Sequence, residues 1–66
     1  MNIDQLKGQW KQLEGNVQKQ WGKLTQDDLD QIAGERKILV GKLQNSYGKT
    51  REAAEQEVDE FLKTLQ

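Results

Sequence analysis

Two short stretches combine the residue types that hold a phosphate: Gly22-Lys23-Leu24-Thr25 and Gly48-Lys49-Thr50. In each, a glycine stands where one helical pattern stops, a lysine supplies a cation, and a threonine opens the next pattern as an N-cap. Free backbone N–H groups at a helix start, beside a cation, favour an anion. Helix-hairpin-helix modules grip nucleic-acid backbones through similar turns. The same residues also serve folding alone, with glycine as C-cap, threonine as N-cap and lysine against the helix dipole. Folding alone is the preferred reading, because the net charge is −1 and no basic stripe interleaves with aromatics. Gly22, Lys23, Thr25, Gly48, Lys49 and Thr50 are therefore the candidate phosphate or nucleic-acid contacts, with nucleic acid an alternative partner and not the favoured one.

Other chemistry has less to work with. Asp27, Asp28 and Asp30 offer oxygens to a divalent ion, but the run lacks the central glycine and closing glutamate of a calcium loop. Acids at a helix start account for them. Glu52, Glu55, Glu57, Asp59 and Glu60 read as a solvated helix face, since acid–base work needs a pocket that desolvates one carboxyl and shifts its pKa. The chain has neither histidine nor cysteine, which removes the neutral-pH proton shuttle, the thiol nucleophile and the usual metal ligands. The expectation is no enzyme, no catalytic, cofactor or metal residues, and no cofactor.

The elements that must position these residues are helices. Ile3, Leu6, Trp10, Leu13, Val17 and Trp21 step by three or four and fall on one stripe. Asn2 is the expected N-cap, with Gln5 reaching back, and Gly22 the expected stop. Thr25 caps a short second helix holding Leu29, Ile32 and Ala33, which Gly34 ends or bends. A third helix presents Leu39, Val40, Leu43 and Tyr47 and closes at Gly48. Thr50 opens the last, with Ala54, Val58, Phe61, Leu62 and Leu65 as its apolar stripe and Arg51–Glu55 and Asp59–Lys63 as pairs on its wet side. Trp10, Leu13, Val17, Trp21, Leu39, Leu43, Tyr47, Val58 and Phe61 are the expected core, the tryptophans serving as core anchors. Ile38 falls nearer the glycine face and is expected to be exposed.

Only 33% of the 66 residues are hydrophobic and 32% are charged, with a mean hydropathy of −1.00. One domain of modest stability is the most such a chain builds. No run approaches the roughly 18 apolar residues of a membrane span, and the N-terminus lacks the basic start of a signal peptide, so the expected location is the cytoplasm.

The chain is also an internal repeat. Gly8, Gly15 and Gly22 fall seven apart, and Gly34, Gly41 and Gly48 repeat that spacing 26 positions later. At the same offset Lys11 matches Lys37, Leu13 matches Leu39, Val17 matches Leu43, Trp21 matches Tyr47 and Lys23 matches Lys49. The repeat, roughly 8–25 and 34–50, predicts a single all-α domain over 1–66, with four short helices arranged as two crossed hairpins. Gly8, Gly15 and Gly41 lie away from the apolar stripes. Three explanations stay open: tolerated drift, close approach of another backbone at a self-association face, and a deliberately weak, hydrated helix set.

From Trp10-Lys11-Gln12 to Gly15, through Gln20-Trp21-Gly22-Lys23-Leu24-Thr25 with Asp27-Asp28, the chain resembles the CsbD-like family of small bacterial general-stress proteins. The likeness continues through Ile32, Gly34, Leu39-Val40-Gly41-Lys42 and Tyr47-Gly48 to Ala54 and Glu57-Val58, in the tryptophan-bearing form of the enterobacterial type. The resemblance implies a cytoplasmic protein accumulated in osmotic stress and stationary phase, and a SAM-domain-like fold of two crossed hairpins. It carries over no catalytic or ligand residues. The function expected is non-enzymatic and either protective or interaction-based, with a protein partner docking at Ile38 or the glycine face as one form of it and a nucleic-acid or phosphate-binding hairpin module as the alternative.

Overall fold

Apolar side chains at helical spacing, with no proline to interrupt them, leave helix as the available way to bury a core. In the computed structural model, which describes the backbone of residues 3–64 and the side chains of residues 6–64, five helices follow one another. They are α1 (Ile3–Gly8), α2 (Trp10–Gln20), α3 (Gln26–Ile32), α4 (Arg36–Tyr47) and α5 (Arg51–Thr64). The expected roles of Asn2, Ile3, Gln5 and Leu65 fall outside the described residues and side chains. The all-α expectation holds, but where four helices were expected the described chain has five, because the first is broken.

The break is at Gln9, whose φ of −114° and ψ of 20° leave the helical ladder. Its carbonyl still accepts the N–H groups of Gln12 and Leu13, each at 3.0 Å, so the chain bends and immediately resumes. Gly8 makes this interruption inexpensive, since glycine is a poor helix former by about 1 kcal/mol. What the bend gains is the docking of α1: Leu6 is fully buried, and the backbone of Leu6 and Lys7 lies directly over Gly34. Burying one leucine side chain contributes about 1.5–3 kcal/mol, enough to outweigh the lost helical residue.

Gly34 is the position that makes the docking fit. It follows Ala33, which ends α3 in the left-handed region at φ 47°, and is itself at φ 82°. A Cβ on Gly34 would stand 2.6 Å from the Lys7 Cα, 3.2 Å from the Leu6 carbonyl oxygen and 3.2 Å from the Trp10 Cβ. Its repeat mate Gly8 has nothing within 4 Å of the same point. Identical residues at matched positions therefore do different jobs.

The 26-residue offset nevertheless survives in the backbone. α2 begins at Trp10 and α4 at Arg36, behind Gln9 and Glu35, which occupy N-cap positions without a side-chain cap bond. The helix ends differ. Gly48 is a left-handed C-cap, its N–H donating to the Gln44 carbonyl. Gly22 was expected to match it and does not: α2 stops at Gln20, and Trp21 is the C-cap, at φ −125° with its N–H on the Val17 carbonyl. The cause is Leu24. The first turn has one residue more than the second, and that residue is buried in the core at 1% exposure. A tight turn, with the Leu24 N–H on the Trp21 carbonyl at 3.1 Å, delivers it there.

α5 lies against α4, α3 against α4, and α1 against α2. The core that results holds Trp10, Leu13, Val17, Trp21, Leu39, Leu43, Val58 and Phe61, as expected, with Tyr47 partly buried against it. Leu6, Leu24, Leu29, Ile32, Val40, Ala54 and Leu62 complete it, and no polar or charged residue is buried among those described. The radius of gyration is 10.6 Å, close to the ~11 Å of a compact domain of this length.

Gly34→Ala combines left-handed strain of about 1–2 kcal/mol with overpacking of about 1–3 kcal/mol, and is expected to lower the urea midpoint sharply. Gly15→Ala, in open space within α2, is expected to raise it by about 0.5–1 kcal/mol of added stability. Urea titrations followed by tryptophan fluorescence test both signs; equal effects would refute the close-approach role of Gly34.

Candidate functional site at the two turns

The six candidate residues sit in two turns far apart in sequence, and the structure brings both turns to one aromatic ring. Lys23 Nζ lies 5.0 Å and Lys49 Nζ 5.8 Å from the centre of the Tyr47 ring. The Tyr47 hydroxyl also accepts the Lys23 backbone N–H at 3.1 Å. Tyr47 thus ties its own unit to the turn of the other unit.

Trp21, its repeat mate, does the same in the opposite direction. Its ring stands 5.0 Å from that of Phe61 at 57°, and its indole Nε1 donates to Glu57 Oε1 at 3.1 Å. Glu57 Oε2 takes Lys49 Nζ at 2.5 Å. The Lys49 ammonium, ahead of the Trp21 indole, holds the Glu57 carboxyl below the usual glutamate range, against the smaller opposing effect of burial. Charge-assisted bonds of this sort are about twice as strong as neutral ones.

The threonines are N-caps, as their spacing predicts. The Thr25 hydroxyl accepts the Asp28 N–H at 3.1 Å while Asp28 Oδ2 accepts the Thr25 N–H at 3.0 Å, a complete capping box. Thr50 Oγ1 accepts the Ala53 N–H at 3.2 Å. Asp28 also pairs with Lys42 at 3.3 Å. Its carboxyl is held below the usual aspartate range, first by the Thr25 backbone N–H and further by Lys42. Asp30 accepts from the Gln26 amide. These are the bonds expected of acids at a helix start.

Several of the amides at and beside the turns are already in use. Those of Lys23, Leu24, Thr25, Asp28, Gly48 and Ala53 all donate within the protein, and the Lys49 charge faces Glu57. What the arrangement does chemically is latch two distant segments together, with Lys23 Nζ facing the Tyr47 ring as its remaining cation. Glu57 and Asp28 are held ionised, the reverse of the raised pKa that a general acid needs.

The sequence pattern missed Glu57, Lys42 and Arg36. The expected Arg51–Glu55 and Asp59–Lys63 pairs give way to Arg36, which bonds Asp59 Oδ1 at 2.8 Å and approaches Glu55 Oε2 at 3.7 Å. Arg36 wins because it reaches across from α4, joining two elements rather than decorating one. Ile38 is exposed, as expected, at 40%.

A family model described as CsbD-like matches residues 4–56. A UPF0337 protein of Pseudomonas aeruginosa is 54% identical over 61 residues, covering 92% of this chain and 94% of its own. One from Rhodopirellula baltica is 67% identical over 61 residues, 92% of this chain and 90% of its own. The UPF0337 protein YjbJ of Escherichia coli O6:H1 is 52% identical over 63 residues, 96% and 91%. No solved structure matches.

Because the folded-state pKa of Glu57 and of Asp28 is lowered, the stabilisation they add is full above their ordinary values of 4.5 and 3.8 and is lost as pH falls further, through the folded values. Thermal unfolding should show a midpoint that is flat from pH 7 to 5 and falls below pH 4.5. Glu57→Gln should lower stability at pH 7 by about 1 kcal/mol and reduce the acid slope. An unchanged slope in that variant would remove Glu57 from the latch.

Proposed function

The chain belongs to the CsbD-like family, and from that premise we propose that it is a general stress-response protein of the cytoplasm, accumulated in osmotic stress and stationary phase. It acts without catalysis, by abundance and by contact with other macromolecules. The observation that carries this reading is the family match from residue 4 to residue 56, continued by relatives aligned over more than nine-tenths of the chain. The geometry of the turns agrees with it. Their carboxylates are held ionised by lysine, indole and backbone partners, which suits a fold-closing role rather than proton transfer.

One observation favours a second reading. Lys23 and Lys49 flank the partly buried Tyr47 ring, and cations beside an aromatic face are the parts of a site for a single-stranded nucleic acid. Against it stand the pairing of Lys49 with Glu57 and the net charge of −1.

Quantitative immunoblots of the host through osmotic upshift and entry into stationary phase test the first reading. A several-fold rise in both conditions is expected, together with a weak, non-saturating reduction of client-enzyme aggregation on freezing. A constant level would overturn it. Saturable binding of a short oligonucleotide that collapses with salt and with Lys23→Gln would establish the second reading instead.

A further inference from the structure

The α4–α5 hairpin bears a groove of about 450 Å³, lined by Arg36, Lys37, Gly41, Gln44, Arg51 and Glu55 above the buried Val40. That volume lies within the ~300–1,000 Å³ range of small-molecule sites. Three cations face one carboxylate here, in a protein whose net charge is −1. The lining stays net positive even when Asp59, the other partner of Arg36, is counted.

The charges are not equally engaged. Arg36 is held by Asp59 at 2.8 Å and by Glu55 at 3.7 Å, and its Nη2 also reaches the Glu55 carbonyl at 3.5 Å. This takes up the Glu55 charge that helical spacing would otherwise give to Arg51. Among the described residues, no carboxylate pairs with Lys37 or Arg51. Two exposed cations thus flank the groove, one on each helix. A guanidinium fork and an ammonium point charge are the complementary parts of a phosphate site.

Gly41 supplies the room. It lies in the interior of α4, with nothing within 4 Å of where a Cβ would stand. A glycine in a helix interior is unfavourable by itself, and it lets another molecule approach the backbone closely; at this position the groove lies over it. Gln44, one turn on from Gly41, offers an amide that both donates and accepts.

We propose that this groove binds a small phosphate-bearing molecule of about mononucleotide size, its phosphate held between Lys37 and Arg51 and its body lying over Gly41. The groove shares no residue with the two turns, although Arg51 directly follows Thr50, and it does not depend on the stress-response reading. It gives one of the repeated glycines a ligand-facing role.

The test is an amide ¹H–¹⁵N NMR titration of the full chain with adenosine monophosphate, inorganic phosphate and a 12-mer DNA, against sodium chloride at matched ionic strength. Saturable shifts confined to residues 36–44 and 51–55 are expected with the nucleotide, and the same shifts at weaker affinity with phosphate. Lys37→Gln and Arg51→Gln, both at exposed positions, should keep the fold and each weaken binding at least fivefold. Gly41→Ala should weaken binding while raising the melting temperature, a combination that general destabilisation cannot produce. Shifts no larger than those with chloride, shifts centred on residues 22–25 and 48–50, or affinity unchanged in Lys37→Gln and Arg51→Gln would each overturn the proposal. Tighter DNA binding that displaces the nucleotide would overturn the small-molecule assignment in favour of a nucleic-acid backbone.

Discussion

The structure depends on the Trp21 ring more than on any other group. It is 2% exposed, packs on Phe61 and places its one polar atom against Glu57. An aromatic pair adds about 0.5–1.5 kcal/mol beyond the area it buries, and an indole N–H left without a partner would be penalised by a comparable amount. Both conditions are met by α5, the last of the described helices in sequence. The C-cap of α2 and the middle of α5 are therefore held in a single arrangement. Any displacement of α5 would expose apolar area and strand the indole at once.

The repeat explains why the latch has two parts. Trp21 and Tyr47 are equivalent by the 26-residue offset, and each reaches into the other half: Trp21 to α5, Tyr47 to the turn after α2. Lys49 touches both assemblies, bridging Glu57 and facing the Tyr47 ring. Contacts exchanged this way tie the two units together in a chain without cysteine, which matters at the lower size limit of stable domains. The repeat is imperfect where the two units must differ. Leu24 has no counterpart in the second turn, and Gly34 is crowded where Gly8 is open.

Polar chemistry on this protein divides into groups that complete the fold and groups that do not. Asp28, Glu57, Arg36, Lys42 and Lys49 belong to the first class, because each joins two elements of the chain. Lys37, Arg51 and the exposed Ile38 belong to the second. A small domain with so few apolar residues cannot hold a charge out of water without a partner, so its carboxylates are drawn to nearby cations and amides. What remains free on the surface is what another molecule can meet.

The sequence by itself determined that the chain is helical, the apolar faces of its helices and three of their caps, at Thr25, Gly48 and Thr50, because these are local matters of spacing and hydrogen bonding. The capping box at Thr25 and the left-handed Gly48 follow from neighbours within four residues, and the buried stripes of α2, α4 and α5 follow from their period. The matching starts of α2 and α4 keep the 26-residue offset, but the sequence pattern placed the first helix start near Asn2. The tertiary structure decided the break at Gln9, since the docking of α1 over Gly34 is a contact between positions 27 residues apart with no pattern of its own. It decided that Arg36 takes Glu55 and Asp59 away from their helical neighbours, because a charge reaching across two helices forms bonds that spacing along one helix cannot reveal. It also decided that the two Gly-Lys turns meet at Tyr47. Local rules place each lysine at a helix end, but only contacts between distant segments, Trp21 on Phe61 and Glu57 and the Tyr47 hydroxyl on the Lys23 amide, set where those ends lie relative to each other.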